Sequence, residues 1–62
     1  MDGKTVVKML KGSGWEHIGT QGSHYKLKKV GYLPIVIPVH GKKDLKPGLL
    51  CAIEKATGVK LR

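Results

Sequence analysis

The sequence predicts an α+β fold, a two-layer α-β-β-β-α sandwich in which two helices cover one face of a three-stranded antiparallel sheet. Three observations predict it. The chain has only 62 residues, apolar residues recur at helical spacing near both ends, and short alternating segments between turn residues fill the middle. A chain of this length buries only about 60% of the surface that its unfolded form exposes. We therefore expect one domain over residues 1–62, with an open site rather than a deep pocket.

The first predicted helix runs from Lys4 to Lys11, with Asp2 as a candidate N-cap and Gly12 as a stop. Its lysines occupy the flank opposite the apolar residues, which is typical of a solvated face. The apolar stripe consists of Val6, Val7, Met9 and Leu10.

The last predicted helix begins at Pro47-Gly48, because proline is favoured at the first helical position. Gly58 fits the position just after the helix, and residues 59–62 are predicted to form a tail. The apolar stripe of this helix consists of Leu49, Leu50, Ile53 and Ala56.

The first hairpin is predicted from the dipeptide Gly22-Ser23. Glycine in the first central position is typical of a type II′ turn, so Gln21 should face His24. Continued alternation should place Ile18 opposite Leu27 on the core face, and His17 on the open face. Trp15, which precedes this strand, is predicted to pack at a corner of the fold against the first helix rather than to stack on bases.

The third predicted strand covers residues 35–39 and follows a five-residue loop. Symmetric pairing about that loop places His24 opposite His40. Proline cannot donate a backbone hydrogen bond, so Pro38 predicts an edge strand and leaves the strand that begins with His24 in the centre. The same pairing gathers the apolar residues on one face of the sheet: Tyr25, Leu27, Ile35, Ile37 and Val39.

The composition is strongly basic. Twelve Lys and Arg residues against four Asp and Glu give a formal net charge of +8 and an isoelectric point near 9.9. A polyanion is the expected partner, either nucleic acid or an acidic protein. The open face is predicted to carry His17, His24, Lys26, Lys28, Val36, Pro38 and His40, with Lys42 and Lys43 in the connection that follows. We expect four lysines to contact a sugar-phosphate backbone, namely Lys26, Lys28, Lys42 and Lys43.

Imidazole and ammonium groups on one face suit metal-independent cleavage of RNA. A base removes the proton of the ribose 2′-hydroxyl, an acid protonates the leaving 5′-oxygen, and cations stabilise the transition state. Imidazole suits both proton transfers, since its ordinary pKa is about 6.5. His24 is the candidate catalytic residue and His40 a possible helper, although an exposed histidine is more often an ordinary surface residue. The three histidines could instead bind zinc, but their spacing matches no motif and the lysines oppose a dication, so we expect neither metal nor cofactor.

The remaining features favour an ordinary cytoplasmic protein. Cys51 is the single cysteine, so an internal disulfide is impossible. The first residues include no basic segment followed by an apolar run, and no stretch is long and apolar enough to span a bilayer. We therefore expect neither a signal peptide nor contact with a membrane.

A series of short motifs resembles the HicA family of bacterial and phage toxins, in order and over essentially the whole chain. The motifs are Gly14-Trp15, Gly22-Ser23-His24, Ile37-Pro38-Val39-His40, Lys43-Asp44-Leu45, Gly48-Leu49-Leu50 and Ala56-Thr57-Gly58. The resemblance implies a fold similar to the double-stranded-RNA-binding domain. It also implies an mRNA interferase, a toxin that cleaves RNA and halts translation, neutralised by a HicB-type antitoxin encoded beside it.

The resemblance implies a catalytic role for His24, which matches the histidine of the family's Gly-Ser-His element. Many relatives carry a second histidine directly after this one. This chain has Tyr25 at that position, and its side chain is predicted to point inward. The family establishes no role for His40. We expect the antitoxin to cover His24 and the lysine-bearing face, and the free toxin to be a monomer. Two alternatives remain open: a non-catalytic RNA-binding module of the same fold, and a small protein whose basic face only docks an acidic partner.

Overall fold

The computed structural model describes residues 1–61. Its elements follow the order helix, three strands, helix, as the sequence predicted. The three strands form one antiparallel sheet in the order β1-β2-β3. The helices and strands are α1 (Gly3–Gly12), β1 (Glu16–Gln21), β2 (His24–Lys28), β3 (Ile35–Pro38) and α2 (Pro47–Thr57).

Helix α1 begins at the predicted cap. The Asp2 carboxylate accepts a hydrogen bond from the Thr5 backbone amide at 2.9 Å. The pKa of Asp2 is lowered, mainly by a hydrogen bond from the Thr5 side chain and to a smaller extent by the one from the Thr5 backbone. The first residue of the helix, Gly3, lies so close to β3 that a Cβ there would collide with the Pro38 carbonyl oxygen, which fixes α1 against this edge of the sheet.

Helix α2 begins at Pro47 and ends at the predicted glycine, where Gly58 takes a left-handed conformation with φ 71°. The prediction that the following residues form a tail is wrong for Leu61, whose side chain is 1% exposed. Its backbone amide donates a hydrogen bond to the Glu54 carboxylate at 2.7 Å. The turn at Gly58 therefore returns the chain to the core; Arg62, the end of the predicted tail, lies outside the described residues.

The first hairpin agrees with the prediction at its turn, where Gln21 pairs with His24. Further along, a β-bulge at Ile18 breaks the register, so that His17 rather than Ile18 faces Leu27. The predictions that Ile18 lies on the core face and His17 on the open face are therefore both wrong. A bulge adds one unpaired residue, which reverses the faces of all residues beyond it; Ile18 is 47% exposed as a result.

The second hairpin has a register two residues away from the predicted one. His24 pairs with Pro38, and Leu27 pairs with Ile35, so the prediction that His24 lies directly opposite His40 is wrong. The connection is longer than predicted: it spans residues 29–34, six residues in all.

Contacts within this loop explain the change of register. The Tyr32 backbone amide donates to the Lys29 carbonyl at 3.0 Å, and the Tyr32 ring packs 5.3 Å from the Trp15 ring, centroid to centroid. Lys29 thereby belongs to the turn and leaves the strand. A hydrophobic pattern alone does not show where such a turn begins.

A shift of two residues keeps every side chain of this hairpin on its predicted face. The predicted apolar set is therefore confirmed: Leu27 and Ile37 are fully buried, while Tyr25, Ile35 and Val39 pack against them. Pro38 closes an edge strand, as predicted.

The core lies between the sheet and both helices. Trp15 belongs to it with 3% of its surface exposed, which agrees with its predicted corner position. Within residues 1–61, neither helix is long and apolar enough to cross a membrane. The buried apolar residues are Val6, Val7, Leu10, Trp15, Leu27, Ile37, Leu50, Ile53 and Leu61.

Candidate functional site

His24 is the first residue of the central strand and lies on the face that the helices leave open. The preceding Gly22 adopts φ 61°, a conformation that glycine reaches without strain, and this allows a two-residue turn. The strand residues on either side of His24 are Gln21 and Pro38. Backbone pairing on both sides fixes the position of His24, while its side chain remains exposed.

His40 lies close to His24 although the two are not paired in the ladder. Their ring centroids are 6.4 Å apart and the rings are nearly perpendicular, at 82°. His40 follows β3 by two residues, in a segment held by the Val39 amide, which donates to the Ser23 carbonyl at 2.7 Å. The structure therefore brings the two imidazoles together by a diagonal contact.

Lys26 shares a shallow concavity with His24. The two residues lie two positions apart on β2 and so point to the same face. Lys26 pairs with Val36 on one side and with Gly19 on the other, and the absence of a side chain at Gly19 helps to open the surface. The concavity measures about 460 Å³ and is lined by Gly19, Thr20, Gln21, His24, Lys26 and Val36.

The other predicted lysines lie around this concavity rather than within it. Lys28 lies on the same face, two residues beyond Lys26 along β2, and pairs with Glu16 of β1. Lys42 lines a second depression beyond the Gly22-Ser23 turn. The Lys43 backbone amide donates to the His40 carbonyl at 3.1 Å and so closes the turn that follows His40.

His17, by contrast, does not join the other histidines. Its ring stacks on Tyr25, with centroids 4.8 Å apart and planes at 15°, and its Nε2 lies 2.7 Å from the Thr20 hydroxyl. Tyr25 packs against the core, as predicted, so both rings belong to the helix-side face. Within residues 1–61, no group of three or more His, Cys, Asp or Glu side chains is placed to hold a metal ion.

Sequence reasoning missed Thr20 as a lining residue. Thr20 pairs with Tyr25, as the predicted register places it, and it also lines the edge of the concavity beside Gly19. The sequence carries a hint of the bulge at Ile18 instead, since glycine inside a strand often marks a bulge and Gly19 follows Ile18.

Fold and surface together define a small basic α+β domain whose open sheet face carries two neighbouring imidazoles and an adjacent ammonium group. Residues 3–59 match the family described as the HicA toxin of bacterial toxin-antitoxin systems. The chain belongs to this family, which confirms the resemblance drawn from its motifs. A search of curated proteins finds no match.

Proposed function

We propose that this toxin is a metal-independent endoribonuclease that cleaves mRNA in the cytoplasm and blocks translation, with His24 as its catalytic residue. The observation that carries the proposal is the contact between His24 and His40, whose rings lie 6.4 Å apart on an exposed face that also bears Lys26. Cleavage by the ribose 2′-hydroxyl requires two groups that can accept or donate a proton and a cation beside them.

The reaction proceeds in one displacement at phosphorus. One imidazole takes the proton of the 2′-hydroxyl as the 2′-oxygen bonds to phosphorus, and the bond from phosphorus to the 5′-oxygen breaks. The other imidazole protonates the departing 5′-oxygen, which leaves a 2′,3′-cyclic phosphate and a 5′-hydroxyl. His24 and His40 can lie on either side of one phosphate, and Lys26 stabilises the charge that develops on its oxygens.

The lysines supply affinity for the substrate. Lys26 and Lys28 follow the line of β2, while Lys42 and Lys43 extend the positive surface past His40. Lysine contacts to phosphates are largely independent of base sequence and weaken as salt rises. RNA binding by the toxin should therefore depend strongly on ionic strength.

A HicB-type antitoxin would inhibit the toxin by covering His24 and the surrounding lysines. Membership of the family supports the existence of an antitoxin partner. Acidic side chains on that partner would complement the +8 charge of the toxin, so that RNA and antitoxin compete for one surface.

The test compares a labelled single-stranded RNA with its all-deoxy counterpart, both incubated with purified toxin in EDTA. We expect cleavage of the RNA only, with a 2′,3′-cyclic phosphate on the product. His24→Ala should slow cleavage by at least about 100-fold while RNA binding and the melting temperature stay close to those of the parent. His17→Ala is the matched control, because this histidine lies on the opposite face and should keep its cleavage rate.

Two outcomes would overturn the proposal. Salt-dependent RNA binding by the parent protein without any cleavage, once co-purified antitoxin has been ruled out, would identify a non-catalytic RNA-binding module. RNA affinity no higher than that of another small protein of equal charge would identify a surface that serves only to dock an acidic partner.

A further inference from the structure

The loop at residues 29–34 exposes two aliphatic side chains that have no role in the fold. Val30 is 95% exposed and Leu33 is 84% exposed, more than any other large apolar residue of the described chain. Single exposed apolar residues are common on protein surfaces, whereas two almost fully exposed aliphatic residues in one short loop make this loop a candidate interaction site.

The loop is held in a fixed shape by the residues between and beside these two. Tyr32 packs against Trp15, and its amide closes a turn on the Lys29 carbonyl. The Lys29 ammonium donates to the Ser13 carbonyl at 3.0 Å and lies 5.3 Å from the centre of the Tyr32 ring. A loop already ordered in this way presents Val30 and Leu33 to a partner with little further loss of conformational entropy.

The position of the loop separates it from the proposed cleavage site. His24 begins β2, and the loop leaves from the other end of this strand, about 13 Å away along the sheet. Neither Val30 nor Leu33 lines the concavity that contains His24. A ligand of the loop is therefore distinct from the RNA groups that react.

We propose that Val30 and Leu33 form a docking anchor for the antitoxin, received by an apolar pocket with an acidic rim. The proposal rests on the toxin-antitoxin pairing that defines the family, and not on whether the toxin cleaves RNA. Val30 follows directly after Lys28 and Lys29, and Leu33 lies three residues further along the same loop. The two neighbouring lysines call for carboxylates around the pocket of the partner.

Two other occupants fit the loop less well. Valine and leucine lack both the aromatic ring that stacks on a base and the donors that bind phosphate, so RNA gains little from them. A second copy of the chain would bring two molecules of charge +8 together.

The experiment measures the affinity of toxin variants for the HicB-type antitoxin encoded by the neighbouring gene, by calorimetry in a His24→Ala background that spares the host cells. We expect the Val30→Ser/Leu33→Ser variant to bind about 100-fold more weakly. Val30→Met/Leu33→Met keeps an apolar surface and should stay within about threefold of the parent. Leu49→Ser, which alters an exposed apolar residue of α2, is the control for a general loss of apolar surface and should also stay within about threefold.

The proposal is wrong if the serine variant binds the antitoxin within about threefold of the parent. It is also wrong if the free parent protein self-associates and the double serine variant does not, while the methionine and Leu49→Ser variants still do. In that case the loop would join two copies of the chain. The same substitutions in the active toxin should leave RNA cleavage unchanged. A failure of the ribonuclease proposal would appear in that cleavage assay alone, and the binding titration would still test the anchor.

Discussion

On one face of the sheet, Leu27 and Ile37 are completely buried beneath the two helices, whereas on the other face His24, Lys26 and Val36 remain exposed. Both faces are built from the same short strands, since successive side chains of a strand alternate. The first face supplies the free energy of folding and the second carries the proposed chemistry. In this small domain, stability and function are therefore assigned to alternate residues of β2, and substitutions should separate them.

The largest expected effect concerns the buried face. Leu27→Ala should lower the free energy of unfolding by about 2–5 kcal/mol, because it leaves a cavity at a fully buried position. A chain of this size has a total stability of only about 3–9 kcal/mol, so the variant should be largely unfolded or close to it. Thermal denaturation followed by circular dichroism measures the loss.

The matched control is the next residue on the same strand. Lys28→Ala changes the open face and should alter the free energy of unfolding by no more than about 0.5 kcal/mol. Comparable losses in the two variants would contradict the division of the sheet into a stabilising and a functional face.

A smaller effect, confined to activity, is expected at the open face. His40→Gln should slow RNA cleavage by at least about tenfold and leave the melting temperature unchanged, since His40 is exposed and outside the core. If His24 and His40 exchange protons with the substrate, the parent should show a bell-shaped dependence of rate on pH. The variant should lose one limb of that profile, as measured by initial cleavage rates from pH 5 to pH 9.

A merely structural role for His40 predicts a different result. The rate would then fall by the same factor at every pH, and the shape of the profile would be preserved. That outcome would leave His24 as the catalytic residue and assign the second proton transfer to another group.

The sequence predicted the buried face more accurately than the site. Strand side chains alternate between the two faces, so a shift of two residues leaves each side chain on the same face. The predicted faces of Leu27, Ile37 and Val39 were therefore correct although the predicted register was wrong by two residues. Asp2, Pro47 and Gly58 marked the helix ends correctly because capping chemistry is local. These features need no knowledge of distant contacts.

The open face depends on features that the apolar pattern of the sequence does not reveal. The bulge at Ile18 moved His17 to the helix side, and the turn made by Lys29 and Tyr32 changed the partner of His24. The turn is held by contacts with Trp15 and with Ser13 at the end of α1, and neither the turn nor the bulge is visible in the apolar pattern. The proximity of His24 and His40 was therefore anticipated, but through a pairing that does not occur.

The smallest expected effect concerns the cap of α1, the helix whose first turn lies against β3. Hydrogen bonds from Thr5 lower the pKa of Asp2 in the folded protein below that of the unfolded chain. The carboxylate therefore stabilises the fold above the unfolded pKa, and this contribution is lost as pH falls through the folded pKa. Asp2→Ala should lower the melting temperature at pH 7, by less than Leu27→Ala does, and the deficit should shrink as pH falls below about 4.

Asp44→Ala is the control for this prediction, since its carboxylate pairs with the terminal amine of Met1 at 3.2 Å in an exposed position. Exposed ion pairs contribute little, so this variant should melt close to the parent at pH 7. A deficit in Asp2→Ala that stayed constant from pH 7 to pH 2 would show that the residue acts through its shape and not through the hydrogen-bonded carboxylate. Neither residue lines the concavity that contains His24 and Lys26, so both variants should retain RNA cleavage at pH 7.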